Sequence, residues 1–142
     1  MALESMMETI ALDITESTKT LFETMIMMDL KYDESSLVDD TQIKTDVIGM
    51  VSFTGKYHGV IAVFCSQKFA LKIASNMLMT ELTQFTTEVK DAIGEVSNMI
   101  AGNVKTKLAA RYGEMHLTIP IVIAILFVLF TIQQFGAKIV TK

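Results

Sequence analysis

Seven apolar residues follow one another at steps of four, four, three, four, four and four: Phe85, Val89, Ile93, Val96, Ile100, Val104 and Leu108. A helix of 3.6 residues per turn keeps such a series on a single face. Thr86 or Thr87 can cap its start, and Gly113 ends it. The helix is therefore predicted to run to about Arg111, roughly 36 Å at 1.5 Å per residue. A rod with one long apolar stripe must lie against a second layer. The chain has 142 residues, 51% of them hydrophobic, which is enough to supply that layer within one domain.

The remaining segments are its candidate neighbours. Met1 to Leu30 reads as a helix, with Ile10, Ile14, Leu21, Met25 and Met28 at helical spacings. Six of the eleven methionines lie there, and they are expected mainly to fill irregular gaps in the core. Tyr32 to Thr41 carries Asp33, Glu34, Asp39 and Asp40 and reads as a solvated loop. Its spacing fits no calcium-binding helix–loop–helix. Val47 to Thr54 alternates, with Val47, Gly49, Val51 and Phe53 on one side. Gly55 to Gly59 is a turn candidate and Val60 to Cys65 an apolar run, so the pair reads as a hairpin. Ser66 can cap a helix through Phe69, Ile73, Ala74 and Met77, which breaks between Thr80 and Thr87.

The last third has a different character. Leu117 to Ala137 is uncharged, and Ile121 to Phe130 is an unbroken apolar run. A membrane-spanning helix needs about 20 mainly apolar residues. This segment reaches that length only by including Pro120, Gln133, Gln134 and Gly136. Its Ile and Val suit buried strands. Two strands are expected to abut near Ala124 and Ile125, with a further strand over Ala137 to Thr141. Met1 to Ile10 lacks a basic region and carries Glu4 and Glu8, so no secretory signal is expected.

Several chemistries have no foothold. A single cysteine, Cys65, allows no intrachain disulfide and reads as a buried thiol in a reducing compartment. Twelve basic against sixteen acidic residues give a net charge of −4, with no basic cluster for nucleic acid. The two histidines, His58 and His116, fit no zinc spacing, and no metal site is expected. Neither a nucleophile–histidine arrangement nor a glycine-rich phosphate loop is present.

The face of the long helix opposite its stripe carries Asp91, Glu95, Asn98, Gly102 and Lys105. Glu95 and Asn98, three apart, are neighbours on that face. Gly94 and Gly102 lie inside the helix, where each costs about 1 kcal/mol relative to alanine. Such glycines are better tolerated where something approaches the backbone closely. From these residues alone, a polar outer face is simply solvated.

The stretch Asp91-Ala92-Ile93-Gly94-Glu95-Val96-Ser97-Asn98-Met99-Ile100-Ala101-Gly102-Asn103 resembles the signature of the CheC/CheX/FliY chemotaxis phosphatases. The single-copy, CheX-like layout is the nearest in length. Val47-Ile48-Gly49 and Phe53-Thr54-Gly55 resemble the family hairpin, and Phe69 to Ser75 the helix after it. The likeness extends to Thr118-Ile119-Pro120, and only one Glu/Asn helix is present.

The resemblance implies an α+β fold, with an antiparallel sheet packed against two long helices and residues 1–142 forming one domain. It implies a cytoplasmic homodimer that hydrolyses the aspartyl phosphate of a CheY-like response regulator. Glu95 and Asn98 are then the catalytic pair, and Asp91, Gly94, Gly102 and Lys105 the partner-binding residues. Ser97 stands where many members have glycine, and is expected to alter the partner's approach. Aspartyl-phosphate hydrolysis by water is largely positioning and charge stabilisation. A carboxamide accepts and donates hydrogen bonds to one water, so Asn98 suits holding the nucleophile. Glu95 suits either a base or a cation-binding group. The resemblance implies the latter, toward a lysine of the regulator, which also brings the phosphorylated aspartate and Mg2+. No cofactor of the chain's own is then expected. The alternative is a non-enzymatic module that binds a receiver domain or a motor component.

Overall fold

The computed structural model describes residues 2–32 and 45–124. The hairpin forms where the alternation predicts it. β1 (Val47–Gly55) and β2 (Gly59–Cys65) pair antiparallel from Val47 opposite Cys65 to Phe53 opposite Gly59. Val47, Gly49 and Val51 are buried, while Ile48 and Met50 point to the other side of the pleat. Two short strands line the free edge of β1, antiparallel to it: β3 (Met115–Leu117) and β4 (Ile121–Ala124).

Phe53 faces Leu117, and Met50 faces Ile121, so three residues, Thr118 to Pro120, oppose only Val51 and Ser52. One extra residue on one strand is a β-bulge. Thr118 stitches it. Its N–H donates to the Ser52 carbonyl at 2.9 Å, and its Oγ1 accepts the Ser52 N–H at 3.0 Å. The side chain thus supplies the acceptor that the interrupted ladder cannot. Ile121 to Ala124 is strand, as the Ile/Val content predicts. The expected junction at Ala124 and Ile125, the strand over Ala137 to Thr141 and the acidic loop lie outside the described residues. Among the described residues, no helix is long and apolar enough to cross a membrane.

α2 (Gln67–Leu78) begins as predicted, with Ser66 Oγ accepting the Phe69 N–H at 3.1 Å. It ends at Met79, which is left-handed at φ 52°. α3 (Thr87–Tyr112) carries the long stripe: Val89, Ile93, Val96, Ile100, Val104 and Leu108 are all buried. Phe85 precedes the helix and is half-buried. α3 packs on the sheet, while α1 (Ala2–Leu21) and α2 pack on α3. Of the two long helices expected to cover the sheet, α3 lies directly on the strands and α1 is seated on α3.

α1 is shorter than predicted. It passes into a π-helical turn over Phe22–Ile26 and stops at Met27, which is left-handed at φ 56°. The Met28 N–H closes the end on the Phe22 carbonyl at 2.9 Å. The wider turn puts Leu21, Phe22 and Ile26 all in the core, and Phe22 stacks on Phe69 at 6.1 Å. Met25 and Met27 stand exposed, so the methionines of this segment are only in part the core fillers expected from sequence. Cys65 is buried as predicted; burial, with the nearby Asp46 charge, pushes its thiol up to about 11.

The far end of α3 is clamped to α1. Both arms of the Arg111 guanidinium donate to the buried Asp13 carboxylate, one of them at 2.9 Å, and Lys107 meets Glu16 at 3.1 Å. The guanidinium holds the Asp13 carboxyl below its ordinary value of 3.8, against the opposing effect of burial. Because the folded-state pKa is the lower one, the clamp's stability is present above 3.8 and is lost as pH falls through the lowered value. Asp13→Asn should therefore melt below wild type at neutral pH. The gap should close as the buffer is taken below the lowered value, as followed by circular-dichroism melts.

Candidate functional site

α3 is held on its inner side by a continuous apolar contact, which leaves its outer side as a rigid platform. Asp91, Glu95 and Asn98 are exposed there. Glu95 and Asn98 are one turn apart, so their Cβ atoms stand about 5–6 Å from each other. Among the described residues, neither side chain is committed to a hydrogen bond or an ion pair. The structure thus places side by side a carboxylate that can take a cation and a carboxamide that can grip a water. Among the described residues, no three His, Cys, Asp or Glu side chains gather to hold a metal.

The other expected partner-facing residues separate. Gly102 is half-buried and a Cβ there would meet nothing within 4 Å, so its backbone is open to an approaching surface. Lys105 is half-buried beside Phe53, Leu108 and Met115, with its stem over the apolar end of the sheet. Gly94, expected from the resemblance among the partner-binding residues, is buried. A Cβ at Gly94 would lie 3.4 Å from Val122 Cγ2 and 4.0 Å from Pro120 Cγ. β4 and the bulge lie over the helix here at ordinary packing distance from such a Cβ. Pro120 and Val122 thus form a wall over Gly94, which stands one helical turn before Asn98.

Ser97, expected to alter the partner's approach, does not lie on the docking face. It points inward, is buried, and donates from Oγ to the Ile93 carbonyl at 2.8 Å. Gly49 of β1 lies directly beneath it. Any direct contact between Ser97 and a docking protein is therefore ruled out by its position. The wall of Pro120 and Val122, and Gly49 under the helix, were not singled out from sequence. Their importance comes from strand register, which local patterning does not reveal.

The sequence profile described as chemotaxis phosphatase CheX matches residues 47–126, the segment that holds the hairpin, α2, α3 and the edge strands. The chain belongs to the CheX family. CheX from Vibrio vulnificus is a similar solved structure, at 26% identity and TM-score 0.76, covering 82% of this chain and 78% of its own. CheX from Desulfovibrio desulfuricans is similar at 27% identity and TM-score 0.74, covering 82% and 77%. A CheX–CheY–BeF3–Mg2+ complex from Borrelia burgdorferi is similar at 25% identity and TM-score 0.68, covering 80% and 75%. No curated protein matches by sequence.

Both helix glycines have room for an alanine methyl. Gly102→Ala and Gly94→Ala should each raise stability by about 0.5–1 kcal/mol, since alanine restricts the unfolded chain and favours helix. At Gly94 the new methyl would make only ordinary contact with Val122. Chemical denaturation of both variants checks this, and a loss of stability at Gly94 alone would mean that β4 sits closer than described.

Proposed function

We propose that this CheX-family chain, acting as one domain, binds a phosphorylated CheY-like receiver domain in chemotaxis signalling and speeds hydrolysis of its aspartyl phosphate. The observation that carries the proposal is the exposed Glu95–Asn98 pair on the supported outer face of α3. The match to the CheX profile and the likeness to a CheX–CheY complex support it.

The chemistry is divided between two proteins. The receiver brings the phosphorylated aspartate, Mg2+ and a lysine. This chain brings Glu95 to pair with that lysine and Asn98 to hold a water in line with the phosphorus. The water oxygen bonds to phosphorus as the aspartyl oxygen leaves, giving inorganic phosphate and a free carboxylate. The water's protons pass to solvent or to the phosphate oxygens, because an amide is no base. Fixing one water at the attack angle removes orientational freedom before the barrier is reached, which together with charge stabilisation is how such a transfer is accelerated. Asp91 and the open backbone at Gly102 extend the docking face along the same side of α3, and the Lys105 ammonium borders it.

Asn98→Ala should lower the stimulated dephosphorylation rate on the order of 100-fold, the scale of a displaced reactant, while binding changes little. Glu95→Ala should weaken both. Phosphate release from a phosphorylated receiver, with binding followed by fluorescence titration, reads the two apart. A wild-type rate in Asn98→Ala removes the water-positioning role. Unaltered binding without any stimulated hydrolysis in the wild-type chain favours the binding-module reading instead.

The proposal includes a homodimer. The sheet face away from α3 is apolar and open: Val60 and Ile121 are each 59% exposed and Phe64 43%, with Ile48 and Met50 between them. A second copy fits that face and leaves Glu95 and Asn98, across the helix, free. Phe64→Glu combined with Ile121→Glu should convert a sedimenting dimer to monomer without loss of helix content.

A further inference from the structure

A close contact between α3 and the sheet lies one residue from Asn98. Gly49 and Ser97 fill a single space between them. A Cβ built on Gly49 would overlap Ser97 Oγ, and would stand 3.2 Å from Ser97 Cβ and 3.3 Å from Ile93 Cγ2. The Ser97 hydroxyl therefore occupies the volume that any side chain at 49 would need. It is held there by its bond to the Ile93 carbonyl, within the same turn that carries Glu95 and Asn98. Two turns of α3 are tied to β1 at this point.

We propose that Gly49 and Ser97 form a positioning pair, resting on the phosphatase reading above, whose combined volume sets where Glu95 and Asn98 stand relative to the Pro120–Val122 wall. A receiver that touched α3 alone would follow the helix wherever it went. A receiver seated against both α3 and the wall would not. With the wall packed over Gly94, next to Asn98 on the helix, a shift in helix height moves the carboxamide relative to the docked partner. The pair touches neither substrate nor water. It acts on the rate through Asn98, with Gly49 the small member and Ser97 the large one. The two can exchange roles: a side chain at 49 fits once residue 97 lacks one, with Ile93 yielding by a few tenths of an ångström.

The test is a substitution cycle of Gly49→Ala, Ser97→Gly and the two together. Each protein is assayed for its maximal dephosphorylation rate on a phosphorylated receiver. Each is also assayed for affinity toward the same receiver carrying trifluoroberyllate, an unhydrolysable stand-in for the phosphoryl group. Gly49→Ala should lower the maximal rate about tenfold or more, the cost of a small misplacement. Ser97→Gly should lower it roughly threefold, and both should bind the trifluoroberyllate-loaded receiver within about threefold of wild type. The double variant should recover to within about threefold of the wild-type rate, which is the signature of coupled neighbours. Should Gly49→Ala fail to fold, a higher rate in the double variant than in Ser97→Gly carries the same meaning. A wild-type rate in Gly49→Ala, or a folded double variant no faster than its slower parent, overturns the positioning pair while leaving the phosphatase reading intact. A wild-type chain that binds the receiver and never speeds hydrolysis overturns both.

Discussion

The seating of α3 is the interaction on which everything else in this molecule rests. One side of the helix meets the sheet, four-stranded among the described residues, and α1 and α2 close over the remainder of its apolar surface. Six branched or long aliphatic side chains are removed from water along the stripe. At about 1.5–3 kcal/mol for each fully buried side chain, that contact outweighs anything the outer face contributes, because exposed polar pairs are worth a few tenths. The inner face therefore decides the fold. The outer face is released from that duty, and its residues can be chosen for what they do to another protein.

The features legible in the sequence were those set by local period. The stripe from Val89 to Leu108, the alternation of Val47 to Phe53 and the Ser66 cap each announce themselves within a few residues. Features set by three-dimensional register were not legible. β3 is three residues long and has no pattern of its own; it exists because Met115 to Leu117 pass along an edge that β1 leaves open. The π-helical turn at Phe22–Ile26 ends on a methionine, where no glycine marks the stop. At the site, the neighbourhood of Glu95 and Asn98 on one helical face followed from spacing alone, and their functional weight came from resemblance. The burial of Ser97 and Gly94 has one cause. The helix is buried against the sheet and against α1 and α2, so residues beyond its one apolar stripe lie inside as well.

The bulge at Thr118–Pro120 shows how an apparent irregularity serves the architecture. A continuous strand from Met115 to Ala124 would carry one register along the whole edge of β1. The extra residue resets it, so that Val122 faces Gly49 and packs onto Gly94. Proline at this point removes a donor that the interrupted ladder could not have used. The edge strand is thereby drawn against the helix that bears the site, instead of running past it.

Cys65 offers a practical consequence. The molecule's one native sulfhydryl is shielded and disinclined to ionise, so electrophilic dyes at neutral pH have little to attack. A cysteine introduced on an open surface position would be the preferred target, with the native residue left in place. Pairs of chromophores could then be mounted at chosen points on the chain and on an associating protein, and their separation followed in real time as the two come together and part.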